Sequence, residues 1–187
     1  MDGLDVRDMR RDVLRRRIAV VPQKAMLFKG TIRSNLLWGN EDATEQDLQD
    51  ALAVAQALDV VASKDQGLDE PVEQGGRNFS GGQRQRLTIA RALVRQPEIL
   101  ILDDSASALD YATDARLRRA IRQMQNPPTT FIVSQRAASI RFADLILVLE
   151  DGHVEGMGTH EQLLASCPVY QEIYSSQFKT EEGTHHG

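Results

Sequence analysis

Residues Phe79 to Asp104 read FSGGQRQRLTIARALVRQPEILILDD, and the change of texture inside this stretch decides the fold. Its first half sets Ser80 and two glycines ahead of Leu87, Ile89, Ala90 and Leu93, an apolar face at helical spacing that Pro97 stops. Its second half, Ile99 to Leu102, is a continuous apolar run closed by Asp103 and Asp104, the pattern of a strand buried on both faces. A helix feeding such a strand points to an α/β protein built on mainly parallel strands. The same stretch carries chemistry. Gly81 and Gly82 let backbone approach a ligand closely, Ser80 offers a hydroxyl, and the helix behind them aims its N–H groups and positive dipole end at an anion. Carboxylates at the C-terminal end of a parallel strand stand where open α/β sheets bind ligands, and can hold Mg²⁺.

Outward from there the α/β texture continues. Thr130 to Val133 and Leu145 to Leu149 read as further strands, with a helix from about Ala112 to Met124 before them. Asp151-Gly152 is a hairpin turn leading into Val154 to Gly156. Thr159 followed by Gln162 is a capping box that opens a final helix around Glu161 to Ala165. Upstream, Ile18 to Val21 is a β-branched run stopped by Pro22. From Thr44, an N-cap with Asp47 three residues on, Leu48, Leu52, Ala55 and Leu58 recur at helical spacing. Residues 1–178 read as one partial domain with a helical subdomain at about 41–96, and residues 179–187 as a polar tail. No internal repeat is present.

The net charge of −5 and pI near 5.4 lack the basic field that nucleic acid or anionic lipid would require, so neither is expected as a partner. Arg10, Arg11, Arg15, Arg16 and Arg17 cluster, but Asp8 and Asp12 interrupt them, which fits a solvated face. The single cysteine, Cys167, allows no intramolecular disulfide and no cysteine metal cluster, and suits a reducing compartment. Apolar runs stop far short of the ~20 residues that cross a bilayer. No direct membrane insertion is expected, and MDGLDVRDMRR has no apolar signal core.

Taken as a whole, Phe79 to Leu87 resembles the signature motif of the ATP-binding cassette (ABC) proteins, and Glu98 to Asp104 resembles their Walker B strand. Ser107-Ala108-Leu109-Asp110 is similar to the D-loop, which crosses the dimer interface in that family. Val20-Val21-Pro22-Gln23, continued by Leu27 to Ile32, resembles the Q-loop of ABC exporters. Val72 to Gly76 fits the exporter-specific loop before the signature, although Glu73 and Gln74 stand where Gly and Glu are commoner. Gly158 to Leu164 also resembles exporter sequence. The likeness runs from Asp2 to about Phe178 in the family's motif order. It implies a P-loop NTPase (RecA-like) core with an inserted helical subdomain, and ATP and Mg²⁺ as cofactors. It implies Gln23, Ser80, Gly81, Gly82, Gln83, Asp103 and Asp110 as nucleotide-site residues, with Gln23 and Asp103 toward the metal.

Two departures bear on activity. Asp104 stands where the family places a glutamate that polarises the attacking water; it is one methylene shorter, and a misplacement of about 1 Å can cost on the order of a hundredfold in rate. In Ile132-Val133-Ser134-Gln135-Arg136, Gln135 takes the place of the switch histidine; it can donate a hydrogen bond but exchanges no proton near neutral pH. Together they resemble the degenerate half of a heterodimeric exporter, whose intact signature completes the partner's site. The partners implied are a second nucleotide-binding domain, from a different subunit, and the coupling helices of a transmembrane domain. That implies a place on the cytoplasmic face of the membrane. No Gly-x-x-x-x-Gly-Lys-Ser/Thr loop occurs in these 187 residues, so the sequence reads as N-terminally truncated, inactive alone, marginally stable, and left with uncovered core surface. Three classes stay open: exporter motor, soluble ABC ATPase of the repair or ribosome-associated kind, and non-catalytic pairing module. The second would show heptad arms or a second cassette; the third would dimerise without hydrolysis.

Overall fold

The computed structural model describes Met1 and residues 3–178, which form two compact units, 1–133 and the described part of 134–187. In the first unit, α1 (Arg11–Arg17) runs into β1 (Ile18–Val21), and β2 (Gly30–Thr31) leads into α2 (Ile32–Leu37). Two helices follow, α3 (Glu45–Val54) and α4 (Leu58–Ala62), and then the short strand β3 (Pro71–Val72), which pairs antiparallel with β2. The signature helix α5 (Gly81–Leu93) precedes β4 (Ile99–Asp103), α6 (Tyr111–Arg122) and β5 (Thr129–Val133). β1, β4 and β5 form a three-stranded parallel sheet in the order β1-β4-β5, confirming the α/β expectation.

Alternation along these strands sorts their side chains. Ala19, Val21, Leu100 and Leu102 are buried in the core shared with Leu87, Leu93, Leu117 and Ile121 from α5 and α6, and α5 packs directly on β1. The opposite face is bare: Val20, Phe131 and Val133 are each 56% exposed.

Local chemistry sets the helix ends. Thr44 and Asp47 close a reciprocal capping box, with Thr44 N–H donating to Asp47 at 2.8 Å and Asp47 N–H to the Thr44 hydroxyl at 3.2 Å. The helix expected to continue through Leu58 stops earlier. Gln56 adopts φ 57°, and its side-chain amide donates to Ala53 O at 3.0 Å, satisfying an end carbonyl. Leu58 therefore opens a separate helix. Arg33 on α2 pairs with both Glu45 and Asp69, tying α2 to the start of α3.

The second unit has its own small core of Ile146, Val148, Leu163, Cys167 and Tyr170. α7 (Ala137–Ile140) precedes the antiparallel hairpin β6 (Ile146–Glu150) and β7 (His153–Gly158), and then α8 (His160–Ser166) and α9 (Pro168–Phe178). Asp151 and Gly152 take φ 48° and 80°, the two positive values that a tight hairpin turn needs. Thr159 and Gln162 cap α8 as expected. α9 corrects the sequence reading, which ended the last helix near Ala165; Pro168, whose missing N–H costs nothing at a first helical position, starts another. The polar tail, 179–187, lies outside the described residues. Among the described residues, no helix is long and apolar enough to cross a membrane.

Candidate functional site

Parallel register brings the first site residues together. Val21 of β1 is paired with Leu102 of β4, so the second residue past each, Gln23 and Asp104, lie level beyond the strand ends. Their side chains meet: Gln23 Nε2 donates to Asp104 Oδ2 at 3.0 Å. Asp104 itself has φ 42°, a left-handed conformation that Asp and Asn tolerate better than most residues. Its backbone is pinned on both sides, the N–H donating to Val133 O at 2.8 Å and the carbonyl accepting from the Ser107 hydroxyl at 2.8 Å.

Asp103, at the last position of β4, is exposed. Gln23 Oε1 is left for another partner once Nε2 is engaged. A carboxylate and an amide oxygen are hard donors of the kind Mg²⁺ takes, one or two protein ligands commonly being completed by phosphate oxygens and water. Among the described residues no group of three or more His, Cys, Asp or Glu could hold a metal.

The signature forms the start of α5. Ser80 is its N-cap, and Ser80 and Gln83 satisfy each other: Gln83 N–H donates to Ser80 Oγ at 3.2 Å, and Ser80 N–H to Gln83 Oε1 at 2.9 Å. The Ser80 hydroxyl is therefore engaged in capping, and the groups presented at the helix start are the N–H groups of Gly81 and Gly82. A Cβ on Gly82 would lie 3.3 Å from Ala108 O, so the signature packs against the loop after β4. A Cβ on Gly81 would meet nothing within 4 Å. Among the described residues no contact explains its lack of a side chain.

Asp110 is placed as the N-cap of α6. Its two oxygens accept from Thr113 N–H and Thr113 Oγ1, each at 2.8 Å, and those bonds hold its carboxyl below the ordinary range. Gln135 belongs to the second unit and is exposed. Its backbone carbonyl accepts from Gln177 Nε2 at 2.6 Å, and Gln177 Oε1 accepts from Ala137 N–H at 2.8 Å. This clamp from α9 on the Gln135 turn was not visible in the sequence, because the two segments are 42 residues apart.

A second feature escaped the sequence reading. Trp38 is 69% exposed and stacks on Phe28 with ring centroids 4.6 Å apart. The Arg91 guanidinium lies 5.1 Å from the Phe28 centroid and donates to Met26 O at 3.0 Å; burial lowers its pKa from the ordinary value. Phe28, Trp38 and Arg91, with Ala19, Val20 and Arg95, line a cleft of about 200 Å³. Asn35, 2% exposed, anchors the loop that leads there by bonding Phe28 N–H, Phe28 O and Thr31 O.

Comparison with known proteins gives the family and the fold. The family model described as ABC transporter matches residues 1–107. An uncharacterized ABC transporter ATP-binding protein of Mycobacterium tuberculosis is 46% identical over 180 residues, 95% of this chain and 31% of the relative. The ABC transporter ATP-binding protein YfiB of Bacillus subtilis is 45% identical over 97% of this chain and 31% of its own length. A beta-(1→2)glucan export ATP-binding/permease protein, NdvA, of Rhodopseudomonas palustris is 44% identical over 97% of this chain and 30% of its own. Among solved structures, a bacterial Atm1-family ABC exporter with ATP bound superposes with TM-score 0.89 at 34% identity, over 95% of this chain and 31% of that one. The chain thus spans about a third of the length of the relatives it matches.

Proposed function

This chain belongs to the ABC transporter ATP-binding family, and on that premise we propose that it works as the nucleotide-binding domain of an exporter, coupling ATP binding and hydrolysis at a dimer interface to transmembrane export. The observation that carries the reading is the meeting of Gln23 with Asp104, beside Asp103, at the C-terminal ends of parallel strands. That is where an open α/β sheet binds its ligand. Exporter origin is supported by the likeness to the Atm1-family exporter and to NdvA.

In this reading Asp103 and Gln23 Oε1 would hold Mg²⁺. Bound Mg²⁺ supplies charge neutralisation across the phosphate oxygens. Gly81 and Gly82 direct their N–H groups, reinforced by the dipole of α5, at a phosphate held by the partner domain. The open space above Gly81 fits an approach from outside the chain. The helical subdomain, about 41–96, carries this signature. The exposed Trp38–Phe28 stack and its cleft suit docking of transmembrane coupling helices, in keeping with a domain that works at the cytoplasmic face of the membrane.

Asp104 and Gln135 make this chain's own site the hydrolytically impaired one of a heterodimer, while its signature completes the partner's competent site. The test is the double substitution Asp104→Glu with Gln135→His in the full-length transporter. ATP turnover of the heterodimer rises if the site is degenerate. Unchanged turnover contradicts the reading.

A further inference from the structure

We infer that Asp104 is a positioning residue for Gln23, setting which end of its side-chain amide faces the cation. The inference rests on the nucleotide-site reading and gives the second carboxylate of the strand a function other than that of a general base.

The chemistry of the pair fixes the orientation. A carboxylate only accepts hydrogen bonds, so the Gln23 group facing Asp104 Oδ2 at 3.0 Å is the NH₂. Oε1 then lies in the amide plane on the opposite side of the Cγ–Cδ bond, directed away from Asp104. Without Asp104 the amide is free to rotate, and half of its orientations present an NH₂ to the cation, which repels it.

The residue type suits this role in two ways. First, the bond already forms at a normal distance with an aspartate, whereas a glutamate would carry its carboxylate about 1.5 Å of C–C bond further out. Second, Asp104 sits at φ 42°, where Asp and Asn are enriched and longer side chains are not. Its backbone is also held by Val133 O and Ser107, so the carboxylate is presented from a fixed point. A side chain locked this way can orient a neighbour.

The experiment uses the full chain, ¹⁵N-labelled, with Mn²⁺ as the probe. Paramagnetic broadening of signals from residues 23 and 103 gives the Mn²⁺ affinity, and the Gln23 side-chain NH₂ resonance reports its hydrogen bond directly. Asp104→Asn and Asp104→Gly remove the same charge and both accept a positive φ, but only Asn keeps an oxygen acceptor for Gln23. The expected result is Mn²⁺ binding roughly three- to tenfold weaker in Asp104→Gly than in Asp104→Asn, the worth of one hydrogen bond. The Gln23 NH₂ signal should move to the free-amide position only in the Gly variant. In a Gln23→Ala background the Asn–Gly difference should vanish. Equal affinities in the two variants, or a difference that persists without Gln23, overturns the positioning role while leaving the nucleotide site intact. A wild-type chain in which Mn²⁺ broadens neither residue overturns the cation site and this inference with it.

Discussion

Replacing Asn35 with alanine tests how the loop that carries Gln23 and Phe28 is held. Asn35 is 2% exposed and its amide makes three bonds: it accepts from Phe28 N–H at 2.8 Å and donates to Phe28 O at 2.8 Å and to Thr31 O at 2.9 Å. Each such bond contributes a net ~0.5–1.5 kcal/mol, and losing all three at once strands partly buried backbone groups, so Asn35→Ala should cost about 2–4 kcal/mol. For a chain of this size that corresponds to a fall in Tm of ~4–15 °C. Urea unfolding followed by far-UV circular dichroism measures it. Asn35→Asp sharpens the test, because aspartate fills nearly the same space and still accepts from Phe28 N–H but has no donor for the two carbonyls. Its loss should equal or exceed that of the alanine variant. An Asn35→Asp protein as stable as wild type, or an alanine variant within about 0.5 kcal/mol of it, would refute the clamp.

Two further outcomes follow from the geometry. At Gly39 a Cβ would come within 2.1 Å of Arg91 O, a backbone atom that cannot swing away, so Gly39→Ala should destabilise by about 1–3 kcal/mol through overpacking; an unchanged unfolding midpoint would contradict the packing of α2 against α5. For Asp110, the folded carboxyl lies below its unfolded value of 3.8 because Thr113 bonds it. The sign follows from linkage: the contribution is fully present above the unfolded pKa and is lost as pH falls through the lower folded one. Asp110→Asn keeps the cap acceptor without the titration, so its stability between neutral pH and about pH 3 should fall less steeply than that of the wild type.

The sequence revealed most where structure is local. The capping pairs at Thr44 and Thr159 and the Asp151-Gly152 turn are contained within four residues each, and all three stand where the pattern put them. β1, β4 and the signature helix were legible because apolar spacing and Pro22 or Pro97 bound them. The break at Gln56 was not, since apolar periodicity continues through it and a glutamine at positive φ leaves no mark in composition. α9 was missed for a related reason: its apolar face is short and begins at a proline that also suits a loop. Long-range contacts escaped altogether. That Gln23 touches Asp104 depends on strand register, and that Asn35 and Gln177 serve as backbone clamps depends on where loops fold back. The motifs named candidate site residues, and the coordinates assigned the Ser80 hydroxyl and the Asp110 carboxylate to capping.

The proposed division of labour gives this chain a signature that serves the partner's hydrolytic site and a strand-end site of its own that hydrolyses poorly. The direct measurement is ATP turnover of the full-length transporter carrying either Gly81→Asp or Asp104→Asn in this chain. An aspartate at the first position of α5 has room for its side chain and favours the helix dipole, so the fold is kept while an anion is repelled. Gly81→Asp should abolish most of the turnover, and Asp104→Asn should lower it far less. Turnover lost with Asp104→Asn and kept with Gly81→Asp would contradict that division of labour.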